Sequence, residues 1–148
     1  MGTTYSIKAI PIEKNMDTQI LKIGIDSVLF SLDKQMSTWD PNSEISQFNL
    51  THSTEPYAIS ESFRMVVKEA LVVSEKTDGF FDITVFDLMG IWGFGPDPNS
   101  GIPDQKQIET TLSFTGHEKI NVTEKTIIKK HPETKLDLNA IAKGYAVD

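Results

Sequence analysis

Between Ser60 and Gly79 the chain carries its cleanest periodic pattern. Phe63, Val66, Val67, Ala70, Leu71 and Ser74 recur at three- and four-residue steps, which collects them on one face of a helix that must pack against something. Ser60 is placed to cap the start of that helix. Asp78-Gly79 is placed to stop it, with Gly79 free to adopt the left-handed C-cap. A second helix is expected after Asp17, with Leu21, Ile25, Val28, Leu29, Leu32 and Met36 at similar steps and Gly24 as a weak position inside it. A short helix is expected at Ser43–Phe48, and another from the Asp104 cap to about Ser113, ended near Gly116.

Between these helices lie extended stretches. Thr4 to Ile10 alternates polar and apolar residues, as a half-buried strand does. Phe80 to Val85 reads as an extended segment. Ile120–Val122 and Thr126–Lys129 read as hairpin strands around Glu124-Lys125, and Lys135–Leu138 as a final strand. Ser37–Asn42, Pro96–Asp104 and His131–Glu133 are turns or loops. Strands and helices alternate irregularly and no repeat is present, so the predicted class is α+β, a mixed sheet with packed helices.

At 148 residues the length suits one domain, able to bury roughly 68–70% of its unfolded surface. The net charge of −7 argues against nucleic acid as a main partner. The absence of cysteine excludes disulfides, zinc–thiolate sites and cysteine nucleophiles within these residues. No apolar run approaches the ~18 residues of a membrane span, and Met1-Gly2-Thr3-Thr4 is polar where a signal peptide would be apolar. An export or lipid-anchor signal, if one exists, is expected outside these residues.

Four segments can carry chemistry. Leu136 to Asp148 reads as a strand running into a helix from Ala140, presenting Asp137 and Lys143 to a common site. Lys143 near free helical N–H groups suits an anion such as pyrophosphate, and Asp137 suits a sugar hydroxyl, a ring N–H or a metal. The plain alternative is a surface ion pair between the two. In Gly79 to Val85 the chain reverses and a ligand can approach the backbone, unless Asp82 is simply satisfied by local N–H groups. Ile91-Trp92-Gly93-Phe94-Gly95 either lines a planar ligand or packs as core at a bend. Trp39, in the turn Met36–Asp40, either stacks on a ligand or packs inward. His52, His117 and His131 sit in polar turns without ligand spacing. The helix beginning at Ala140 has no closing signal before Asp148, which suggests a piece of a longer protein.

The order and spacing of these segments resemble the ApbE family. The resemblance rests on Met1-Gly2-Thr3, on Ser37-Thr38-Trp39-Asp40 with Ser43-Glu44-Ile45-Ser46 and Phe48-Asn49, on Gly79 to Val85 with Trp92-Gly93-Phe94-Gly95, and on Leu136 to Asp148. It spans residues 1–148, which would form the N-terminal portion of a single flavin transferase domain. It implies a magnesium-dependent FAD:protein FMN transferase, long associated with thiamine biosynthesis lipoproteins. Such an enzyme moves FMN from FAD to a Thr or Ser hydroxyl of a target protein and releases AMP.

By matching motif, Met1, Trp39, Phe80, Phe81 and Asp82 would contact FAD, largely through backbone at the last three. Asp137 and Lys143 would hold the dinucleotide, and the Ala140 carbonyl would bind magnesium. The resemblance further implies a periplasmic, membrane-anchored lipoprotein whose acceptor is a subunit of a membrane redox complex. Phe86-Asp87 departs from the family's more usual Gly-Pro, and Asn139 from its Gly or Ser. A His-containing loop and an Asp/Thr segment that supply the family's other metal ligands and its catalytic groups are expected beyond Asp148. Two other classes stay open: a flavin-binding module without transferase activity, and a partner-binding fragment. Self-association of the fragment is also possible on this reading.

Overall fold

The computed structural model describes residues 4–10 and 17–148. Met1, expected to touch FAD, lies outside the described residues.

The long periodic helix forms as its pattern dictates. This helix, α3 (Glu61–Lys76), buries Phe63, Val66, Val67, Ala70 and Ser74. The Ser60 hydroxyl accepts from the Phe63 amide at its start. Ser60 also donates through its amide and its hydroxyl to the two Glu44 carboxylate oxygens, both at 2.6 Å. Glu44 opens α2 (Glu44–Leu50), itself capped by Ser43, so one carboxylate locks two helix starts together.

The far end of α3 closes at the expected Asp78-Gly79 stop, with Asp78 left-handed as well as Gly79. Asp78 takes the left-handed conformation at φ 50° and Gly79 follows at φ 79°. The Gly79 amide bonds to the Ser74 carbonyl and the Asp78 amide to the Glu75 carbonyl, the paired closure of a Schellman motif.

Helix α1 (Thr18–Met36) starts at the Asp17 cap as expected, but only Leu32 and Met36 are buried. Two further helices are α4 (Phe86–Ile91), which the glycine-broken sequence had not suggested, and α5 (Gln105–Phe114). The latter has a full capping box between Asp104 and Gln107.

The sheet has three strands in the order β1 (Tyr57–Ala58), β3 (Thr126–Lys129), β2 (Ile120–Val122). The expected hairpin is present, with Asn121 opposite Ile128, and the unforeseen β1 pairs Tyr57 with Ile127. The α+β class holds, and among the described residues both ladders are antiparallel. The core is one cluster in which Phe48, Phe63, Val67, Ile83, Ile127, Leu136 and Leu138 are all but inaccessible. No helix among the described residues is long and apolar enough to cross a membrane.

Three expected extended segments form no ladder among the described residues: 4–10, 80–85 and 135–138. Alternation marks a strand's faces but cannot supply a neighbour to pair with. The last helix, α6 (Ala142–Val147), begins two residues later than expected, after a turn at residues 139–141.

Candidate functional site

Residues 136–139 are the hub of the molecule's polar contacts. Their backbone is held by the Asn49 side chain and the Ile83 carbonyl, and the Asn139 side chain reaches a further turn. The Asn49 amide brackets Leu136, accepting from its N–H and donating to its carbonyl, each at 2.8 Å. The Asp137 amide donates to the Ile83 carbonyl at 2.8 Å, tying in the loop after α3. Asn139 donates through Nδ2 to the Thr38 hydroxyl at 3.2 Å, tying in the turn that carries Trp39. Segments far apart in sequence thus converge on one short stretch.

Asp137 is buried, and its carboxylate accepts from the amide and the side chain of Asn139 at 2.8 and 2.7 Å. Asn139 therefore serves as the local partner of that charge. Asp137 and Lys143 are not paired with each other. Lys143 Nζ donates instead to the Asn139 carbonyl at 3.3 Å, from an exposed position. The lysine lies at a cleft of about 470 Å³ between α1, α6 and the N-terminal segment, with Tyr5, Phe30, Asp33 and Val147 among its lining. α6 has only six residues, too short for its N-terminus to be an anion site by itself; the lysine's own charge is what an anion would meet.

The aromatic candidates divide. Trp39 is 63% exposed, although the turn beneath it is fixed by hydrogen bonds from the Ser43 and Ser46 hydroxyls to the Ser37 carbonyl. Inward packing is thereby ruled out for Trp39. Phe80 stands almost wholly in solvent at 97% exposure, whereas Phe81 packs against the core. Trp92 and Phe94 are also exposed rather than core. The helix just before them, α4, is tied beside the hub by the Lys135–Asp87 ion pair at 2.9 Å, which gives Asp87 a structural use.

Asp82 faces inward. Its carboxylate accepts from the Thr84 amide and hydroxyl at 2.7 and 2.6 Å and from the His117 amide at 2.8 Å. The Thr84 bonds are the local satisfaction that its sequence context allowed, and the His117 bond comes from far along the chain. Thr38, Asn49, Thr84 and the Gly116–His117 turn carry much of this arrangement; the quoted motifs contain the first three without giving them a role, and do not contain the turn. The one available signal was Asn49, a polar residue beside Phe48 on the buried side of a short helix.

The residues present do not by themselves suit a metal ion. Among the described residues no group of three His, Cys, Asp or Glu side chains is arranged to hold one. Ala140 is exposed, and the backbone hydrogen bonds of its turn fall on the carbonyls of Leu138 and Ile141. Its carbonyl offers one oxygen where magnesium takes about six.

Comparison with known proteins places this arrangement. The ApbE family profile matches residues 1–148. The FAD:protein FMN transferase of Vibrio cholerae is 40% identical over 149 residues, covering all of this chain and 45% of that protein. Its Escherichia coli K12 counterpart is 34% identical, with 43% of that protein covered. Among solved structures, the flavin transferase ApbE of Vibrio cholerae superposes with a TM-score of 0.88 at 37% identity, over 92% of this chain and 45% of that one. The apo flavinyl transferase ApbE of Pseudomonas stutzeri gives 0.85 at 30%, over 90% and 44%. The chain spans just under half the length of the relatives it matches, and it belongs to the ApbE family.

Proposed function

We propose that the protein acts as a FAD:protein FMN transferase and that these 148 residues carry its FAD-binding half. In that reaction a Thr or Ser hydroxyl of an acceptor protein attacks the FMN phosphorus of FAD. A new P–O bond to FMN forms, the pyrophosphate P–O bond breaks, AMP leaves and the hydroxyl proton is released. Magnesium is the proposed metal because it binds oxygen ligands and offsets charge on the phosphates. Since the described residues offer at most the Ala140 carbonyl, no step is assigned to it here.

The residues of this chain bind and orient. Lys143 supplies the cation for the pyrophosphate, Asp137 the acceptor for a sugar or ring donor, and Trp39 a stacking surface. Phe80, Phe81 and Asp82 present backbone to the flavin nucleotide. The acceptor is proposed to be a subunit of a membrane redox complex, and the native setting a periplasmic lipoprotein.

One observation carries this reading above all. The turn of Trp39, the loop of Phe80 and the segment of Asp137 are joined by direct hydrogen bonds at residues 137–139, while Trp39 and Phe80 remain exposed. A flavin dinucleotide needs such a set of aromatic surface, polar anchor and cation within one site.

The test is FAD titration followed by flavin fluorescence. Lys143→Ala should weaken binding roughly 10- to 150-fold, the worth of a charge-assisted hydrogen bond of ~1.5–3 kcal/mol. An unchanged dissociation constant would remove Lys143 from the site. With magnesium and an acceptor peptide, the 148-residue chain should release no AMP, because the side-chain metal ligands are not among its described residues. Robust transfer by this chain alone would show the catalytic groups to be misassigned.

A further inference from the structure

The loop that offers Phe80 to solvent is fastened at every turn. At its start the Phe80 amide donates to the Thr77 carbonyl at 3.0 Å and the Phe81 amide to the Thr77 hydroxyl at 3.1 Å. At its end the Ile83 carbonyl accepts from Asp137. Between these lies a compact knot. The Thr84 hydroxyl has a single proton; given to Asp82 at 2.6 Å, it leaves the oxygen to accept from the Gly116 amide, also at 2.6 Å. The other Asp82 oxygen accepts from the next amide, that of His117. Two successive N–H groups of the α5–β2 connection therefore point at one Asp–Thr pair.

Gly116 makes that possible. Its φ of 139° is a conformation that side-chain-bearing residues rarely adopt, and it turns both amides the same way. The knot is shielded from water. Thr84 is 3% exposed, and the Asp82 side chain 12%. Neither group can be reached by a dinucleotide lying on the loop's outer face, where Phe80 stands.

Resting on the FAD-binding reading, we propose that Asp82 and Thr84 are positioning residues. Their side chains bolt the Phe80–Phe81 backbone to the Gly116–His117 turn and so hold it in the shape that receives the flavin nucleotide, with neither the carboxylate nor the hydroxyl touching that nucleotide. A carboxylate that accepts three internal donors is already engaged, and a loop fixed before binding loses less conformational freedom on binding.

The decisive variant is Thr84→Val, which keeps the shape and removes the hydroxyl, with Thr84→Ser as its rescue. Hydrogen exchange at residues 79–83 and 116–117 reads the brace without any ligand. FAD titration and the induced circular dichroism of bound flavin read its effect on the site. Thr84→Val should speed exchange at both segments, weaken FAD binding about tenfold and alter the flavin dichroism. Thr84→Ser should restore all three.

Asp82→Asn replaces the oxygen facing the His117 amide, or the one facing Thr84, with a donor. It should behave like Thr84→Val rather than worse, and it serves in its place if that variant does not fold. Two results would overturn the proposal. One is unchanged exchange in Thr84→Val. The other is FAD binding retained in Thr84→Val but lost in Asp82→Asn, which would make Asp82 a direct ligand contact. A wild-type chain that binds no FAD would defeat the functional reading and the positioning role together, whereas faster exchange in Thr84→Val would still show the brace as a lock on the loop.

Discussion

The hub at residues 136–139 and the outer side of α1 solve opposite problems. At the hub, buried polar groups meet specific partners, Asp137 with Asn139 and Leu136 with Asn49. Along α1, apolar groups face outward: Ile20, Ile23, Val28 and Phe30 are all more than half exposed. Tyr5 and Ile7 of the N-terminal segment and Val147 of α6 border the same side and are similarly open. A buried donor or acceptor must meet a specific partner or lose a hydrogen bond. An apolar side chain asks only for contact area, and any surface can provide it. The hub therefore meets its polar groups with specific partners, while much of one helix's apolar surface is left uncovered.

The largest expected contrast tests packing. Phe48 is 1% exposed and meets Tyr57 and Phe63 edge to face. Phe48→Ala should cost ~3–5 kcal/mol in urea unfolding. Phe30→Ala, at a position 64% exposed, should stay within ~0.5 kcal/mol. A Phe30→Ala loss approaching that of Phe48→Ala would mean that the outer face of α1 is covered in solution.

Next comes the hub. Asn49→Ala strands both the amide and the carbonyl of Leu136, each a group that costs ~1–3 kcal/mol when left buried and unsatisfied. Asn49→Asp keeps an acceptor but loses the donor, so it should recover only part of the loss. Equal stability of all three proteins would show that water readily replaces the side chain and that the hub is wetter than its burial indicates.

The smallest effect concerns Lys129, which is buried without a carboxylate partner. Its ammonium donates to the Thr51 carbonyl at 2.7 Å and lies 4.6 Å from the centre of the Phe48 ring. Burial, with the nearby charge of Lys135, pushes its pKa down from 10.5 to about 8, against smaller upward pulls from Glu133 and Asp87. Between those values the unfolded chain holds a proton that the folded chain has released, so this residue's contribution to stability rises with pH. The cost of burying the cation is fully present below pH 8. Wild type should therefore gain on Lys129→Met as the pH of the unfolding experiment is raised from 7 to 10. A constant difference would indicate that Lys129 keeps its ordinary pKa.

What could be read from the residues follows the same division. The caps at Asp17, Ser60 and Asp104 were legible because a cap bonds an amide two or three residues away. The apolar stripe of α3 was legible because its period is local. By contrast, Lys135–Leu138 looks like a strand in sequence, yet its backbone partners are a side chain 87 positions earlier and a loop carbonyl. Nothing near Leu136 announces Asn49. The Asp137–Lys143 pair had the right spacing for one site, but Asn139 stands between the two charges and bonds to both residues. In the region of Asp82, the local bond to the Thr84 amide was foreseeable. The bonds to Gly116 and His117, more than thirty residues away, were not.

The Asn49 amide has a consequence for solubility. An extended backbone with unpaired groups along its side is a template on which another chain can add a strand. Leu136 offers no such template, because Asn49 occupies its amide and carbonyl together, and the next amide, that of Asp137, is taken by Ile83. A single side chain thus plugs the position where a neighbouring strand would dock. The segment that carries the candidate anchor of the site is thereby protected from edge-to-edge aggregation, although it belongs to no sheet of its own.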